Sequence, residues 1–208
     1  MKGRPNQTRR FAKLFLLAMF SLSCSSITIA VDREHPTIES NMPTQQIGFD
    51  FASHTPAFPK GDEAASLHLF LHKYPMPSNG FITGVIYLND SDTNSESFDL
   101  LVLRPENQGW KIVDRLSLSD DRPPAQTGTT LLTLPTPIAV QENDIFAHWQ
   151  YEAEGAIPLN GDNTSIDGFS SGQYQFRSAD VEIGQHIHKD GFTGERDYFI
   201  SVIFAAAP

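Results

Sequence analysis

Apolar and polar positions alternate with a period of two along most of the chain after residue 65. That period predicts strands, because successive side chains on a strand point to opposite faces. The clearest stretch is 136–151. Pro137, Ile138, Ala139 and Val140 precede, and Ile145, Phe146, Ala147, His148 and Trp149 follow, the polar residues 141–144. This predicts a strand, a tight turn and a strand, a hairpin near the middle of the domain.

Similar patterns flank it. Ile47, Phe49 and Phe51 share one face of a first strand over 46–52. Residues 65–74 set Leu67, Leu69 and Leu71 against His68, Phe70, His72 and Tyr74, and Pro75, Pro77 and Gly80 end the run. In 81–88, Ile82, Ile86 and Leu88 fall on one face and Val85 and Tyr87 on the other. Residues 98–103 and 110–118 predict a hairpin over 104–109, with Trp110, Ile112, Leu116 and Leu118 on one side. A strand over 129–134 leads into the central hairpin, and 171–187 alternates as a further strand. In 196–204 both faces are apolar, which places that strand centrally between covering layers. The expectation is an all-β fold, a single antiparallel β-sandwich of about nine to ten strands, jelly-roll-like, without helices. Trp110 and Trp149 are assigned to its core.

The first thirty residues follow a different rule. Lys2, Arg4, Arg9, Arg10 and Lys13 form a basic front, residues 14–22 an apolar run, and Thr28, Ile29 and Ala30 a small-residue cleavage site. This is the pattern of a secretory signal peptide over 1–30, with Val31 as the new N-terminus and a secreted or periplasmic destination. The alternatives are a retained anchor, for which the run is short of the twenty or so residues a span needs, and a lipoprotein acylated at Cys24. Ser21 stands where a lipobox has leucine. Residues 31–46 are polar and aperiodic and predict a flexible leader, followed by the sandwich domain over 47–208.

Removing the signal takes away five basic and no acidic residues, which shifts the formal charge of the 208-residue chain from −10 to −15. Nucleic acid and anionic lipid, which need a basic surface, are not expected as partners, and no integral membrane segment is expected after signal removal. Cys24 is the only cysteine and leaves with the signal, so disulfides, zinc ribbons and thiol nucleophiles go with it.

In pattern the stretches GFITGVIYLND, SFDLLVLRPENQGWKIV, PIAVQENDIFAHW and RDYFISVIF resemble the jelly-roll, galactose-binding-like β-sandwich modules of secreted proteins, over roughly residues 80–204. Such modules often carry Gly before the Asp of the third stretch, where this chain has Asn143 before Asp144. The resemblance implies a binding or adhesion module and no catalytic residue.

Four constellations carry candidate chemistry. Asp90, Asp92, Asn94 and Glu96 occupy alternate positions of an acidic loop, and hard cations take clustered oxygen ligands. Asp162 and Asp167, between Gly161 and Gly168, lie in the long loop 156–172 and offer a second set, so calcium is the candidate cofactor. If one strand runs through 180–190, Glu182, His186, His188 and Asp190 project from one face, and the two histidines with Glu182 or Asp190 can ligate a transition metal. His68, Phe70, His72 and Tyr74 form an aromatic strip on which a sugar can stack. The favoured function is a secreted, non-catalytic binding module, calcium-assisted or metal-free, for carbohydrate or another cell-surface ligand. A metal-dependent enzyme using His186 and His188, and a structural or assembly protein, are the alternatives.

Overall fold

Alternation becomes strand throughout the computed structural model, which describes residues 43–56, 59–60, 68–72, 74–89, 98–118, 128–151, 157–160, 171–175, 181–188, 192–194 and 198–208. These belong to one unit, Thr37–Pro208. In chain order the strands are β1 (Thr44–Gly48), β2 (Pro59–Lys60), β3 (His68–His72), β4 (Gly80–Asn89), β5 (Phe98–Glu106), β6 (Gly109–Leu118) and β7 (Gly128–Val140). They continue with β8 (Ile145–Gln150), β9 (Leu159–Asn160), β10 (Ser171–Gln175), β11 (His186–His188), β12 (Phe192–Gly194) and β13 (Ile200–Ala206). Among the described residues there is no helix, and so none long and apolar enough to cross a membrane.

Two antiparallel sheets form the sandwich, a smaller one in the order β1-β13-β4-β7 and a larger one in the order β11-β6-β5-β8-β3-β10-β12. A short β2-β9 pair stands apart. The space between the sheets is filled by Ile82, Val85, Tyr87, Ile138, Val140, Ile200, Val202 and Phe204 from the smaller sheet. Phe70, Phe98, Leu100, Val102 and Phe146 fill it from the larger. The larger sheet carries a second core on its other face, where Leu69, Leu71, Leu101, Leu103, Ile112, Ala147 and Trp149 pack with Val181 and with Ile187 of its own edge strand. Each fully buried Leu, Ile or Val contributes roughly 1.5–3 kcal/mol of transfer free energy. The strands β3, β5 and β8 are therefore apolar on both faces and need cover on both. The last strand, β13, runs between β1 and β4 in its sheet, with Ile200, Val202 and Phe204 buried on one face and Ile203 only partly buried on the other.

Four expectations are corrected. The central hairpin is not one: β7 is an edge strand of the smaller sheet and β8 is interior to the larger, so the turn 141–144 is a corner between sheets. Because β7 lies at an edge, it runs on through Pro135 and Pro137, whose missing N–H groups cost a central strand its ladder. Secondly, bulges shift faces. The ladder between β4 and β7 slips between Ile82 and Gly84, which puts Ile82 on the buried side with Val85 and Tyr87 instead of with Ile86 and Leu88. A slip opposite Val102 and Leu103 separates Ile112, in the outer core, from Leu116 and Leu118, on the inner side.

Thirdly, β1 stops at Gly48, whose φ of 120° bends the chain before Phe49. A Cβ there would come within 2.7 Å of the Ile200 carbonyl oxygen, so glycine is required by both backbone and space. Finally, 171–187 is not one strand. β10 pairs with β3, whereas β11 pairs with β6 at the far edge of the same sheet. Residues 182–185 form a turn between Val181 and β11, with Gly184 at φ 95°.

Candidate functional site

The corner that joins the sheets is held by polar groups. Asp144, fully buried, accepts two hydrogen bonds of 2.9 Å from Arg104 at the end of β5. It also accepts one of 2.8 Å from the Gln141 N–H. The Met76 N–H donates to the Asp144 carbonyl and the Asn143 N–H to the Met76 carbonyl, which fastens the β3–β4 connection to the same corner. Asn143 has φ 68°, a left-handed conformation that glycine takes freely and Asn tolerates better than most residues. The substitution of Asn for Gly noted in the sequence is thus accommodated by the backbone.

A second knot lies on the outer side of the larger sheet. Asp99, fully buried, accepts from Arg115 Nε, from Ser117 Oγ at 2.6 Å and from the Tyr151 hydroxyl at 2.7 Å. Arg115 also donates through Nη1 to the Val181 carbonyl. It therefore ties the segment 181–188 onto the sheet while balancing a carboxylate that burial would otherwise penalise.

The aromatic strip takes its place between the sheets. Phe70 and His72 are fully buried and His68 and Tyr74 half-buried, so the strip does not present the open face that sugar stacking needs. His72 meets His148 of the neighbouring strand β8, Nε2 to Nδ1 at 2.7 Å, with the rings stacked at 5.0 Å. His148 Nε2 lies 3.2 Å from Gln150 Oε1, which can only accept; this makes His148 the Nε2–H tautomer and leaves Nδ1 to accept from His72. Phe70, Phe146 and Tyr198 pack against the pair at 4.7 to 5.9 Å. Burial lowers both imidazoles, His148 to about 3 and His72 well below its ordinary value, the latter also through the neighbouring His148. The chain of bonds runs with one proton on each ring, so the neutral form of both is the one that fits.

His186 and His188 do share a face of β11, and their ring centroids lie 4.5 Å apart. Glu182 is not part of that face. It stands in the exposed turn before the strand, where its carbonyl accepts from the Gln185 N–H. The acidic group near the pair is Glu106, at the tip of the β5–β6 hairpin, with Oε2 3.7 Å from His186 Nε2. Sequence reasoning missed Glu106 because the pairing of β11 with β6 brings it there, and no local pattern announces that pairing.

Asp90, Asp92, Asn94, Glu96, Asp162 and Asp167 lie outside the described residues. Their flanks are described: Asn89 ends β4 and Phe98 begins β5. The Leu88 N–H donates to the Phe199 carbonyl, and the Phe199 N–H to the Pro158 carbonyl, so Pro158 and Leu159 lie at the same end of the sandwich as Leu88. The other flank of the second loop, Ser171, pairs with His72. Among the described residues no group of three His, Cys, Asp or Glu side chains is placed to hold a metal ion. No protein family model, no curated protein and no solved structure matches this chain.

Proposed function

We propose that this chain is an exported, non-catalytic binding module for a carbohydrate or another cell-surface ligand, with calcium assisting at the loops that leave β4 and β9. The observation that carries the reading is the use made of the interior polar groups. Asp144 is engaged with Arg104, Asp99 with Arg115 and His72 with His148, each pair linking one structural segment to another. Groups with those roles hold a scaffold, and a rigid sandwich with variable loops at its ends is how such scaffolds present ligand contacts. The signal-like first thirty residues and the acidic composition support the exported setting and cation assistance.

The test is a glycan-array screen of the chain with and without calcium, repeated with Asp92→Ala and Asp162→Ala. The reading expects a saturable ligand whose affinity falls at least about tenfold in either variant, or on calcium removal, with thermal unfolding still cooperative. Catalytic turnover of the bound ligand, or binding indifferent to both substitutions and to calcium, would overturn it.

A further inference from the structure

We infer that β7 pairs edge to edge with β7 of a second copy of this chain, antiparallel about a two-fold axis through Leu131, joining the two smaller sheets into one. No residue of the acidic loops enters this contact.

Three features converge on the edge. The first is its backbone. The Leu88 N–H bonds to the Phe199 carbonyl on the β13 side. Along an antiparallel strand the bonding side alternates from residue to residue, so Ile86 also turns to β13 while Val85 and Tyr87 turn to β7. Their partners Leu132 and Thr130 therefore bond to β4. That leaves the N–H and C=O groups of Thr129, Leu131 and Thr133 aimed away from the sheet, and among the described residues β7 has no second neighbour.

The second feature is the side chains. Leu131 is 62% exposed, and with Ile183 it is one of two exposed large apolar side chains among the described residues. It stands beside Ile86, on the face of the smaller sheet turned away from the core that Val85 and Tyr87 enter. Antiparallel pairing about Leu131 sets Leu131 against its own copy and Thr129 against Thr133, all three exposed in the single chain. On the opposite face the same register sets Thr130 against the partly buried Leu132. Apolar pairs and threonine pairs are favourable cross-strand neighbours.

The third feature is charge. A chain of formal charge −10 repels its copies, yet the 13 residues of β7 include no charged side chain. Sheet edges are commonly guarded against pairing by charge or proline. Pro135 and Pro137 sit where the ladder to β4 skips from Thr133 to Ile138, so they guard that half and leave 128–133 open. The other edges offer less. β1 is also uncharged, but its exposed side chains, Thr44 and Gln45, are polar, and β11 and β12 are 3 residues each.

One strand pair buries less than the roughly 1,600 Å2 of a standard interface, so the dimer is weak and reversible. The experiment is sedimentation equilibrium of the full chain at concentrations up to about 1 mM, high enough for so small a contact. The expected result is a monomer–dimer equilibrium. Leu131→Lys, which sets like charges face to face, should weaken it at least about tenfold. Leu131→Pro should do the same, because it removes an N–H that β4 does not use. Ile183→Lys, at the other exposed apolar residue, should leave it unchanged. Leu131→Lys mixed with Leu131→Glu should associate again, since the axis places the two charges opposite one another. Leu131 is exposed, so circular dichroism of its variants should match the parent. In the unaltered chain the Thr129, Leu131 and Thr133 amides should exchange more slowly as concentration rises. A chain that stays monomeric throughout, a dimer indifferent to Leu131→Lys, or mixed variants that associate no better than either alone would overturn the pairing.

Discussion

His72 Nε2 and His148 Nδ1 meet at 2.7 Å inside a core closed on every side, so the two imidazoles share a hydrogen bond that only their neutral forms satisfy. Both are depressed from an ordinary value near 6.5, chiefly by burial.

The sign of the pH effect follows. Above about pH 6.5 folded and unfolded chains hold the same protons on these rings, and the stability tied to them is fully present. Below that value the unfolded chain takes up protons that the core refuses, so stability falls as pH drops towards about 3, where His148 titrates in the fold. Each histidine contributes a slope of about 1.4 kcal/mol per pH unit. Urea unfolding between pH 7.5 and 5 should reveal this loss, and His148→Gln should roughly halve the slope in that interval. An unchanged slope would refute the role of the pair.

Asp144→Ala removes the carboxylate that holds both Arg104 and the Gln141 N–H. Breaking a buried pair costs about 3–5 kcal/mol. Arg104 is 35% exposed and can rehydrate, which lowers the expectation to roughly 2–3 kcal/mol. Equilibrium denaturation of the variant against the parent measures it.

At Asn143 the backbone, and not the side chain, sets the requirement. Asn143→Gly should be neutral or stabilise by a few tenths of a kcal/mol, while Asn143→Val should cost about 1–2 kcal/mol, because a β-branched residue resists φ 68°. Thermal midpoints of the two variants should therefore move in opposite directions or differ by several degrees.

Ile187→Ala tests the outer core. The loss should be about 2–4 kcal/mol, typical for a fully buried aliphatic side chain. It should also be local first: the Gly184 and Ile112 amides, which bond across to β6 and the turn, should exchange faster, while the ladder between β4 and β13 stays protected. Equal acceleration in both places would mean that the segment is not a separate unit.

The class of fold was legible because period two survives in almost every described strand. Partners were not legible. The alternation on either side of residues 141–144 suits a hairpin and a corner equally, and the choice is made by Asp144, Arg104 and Met76, which lie far apart in sequence. Bulges at Thr83 and Val113 carry no residue signature, so the faces of β4 and β6 were misread beyond those points. Of the candidate site residues, His186 and His188 lie side by side on β11. Glu182 was chosen because even spacing aligns it with the histidines if one strand runs through 180–190, whereas a turn precedes β11, and Glu106 was overlooked because it is near only in space. Phe70 and His72 were read as a surface strip because nothing in their own strand reveals that β8 supplies a second histidine.

The position of β13 between β1 and β4 also sets the order of events during synthesis. β1 is the first of the described strands to be made and β13 the last, yet β13 is the only partner β1 has in its sheet. Until β13 is in place, β1 has no ladder to join and β4 has β7 alone. The smaller sheet therefore closes in a single late step, and contacts of such long sequence separation form slowly.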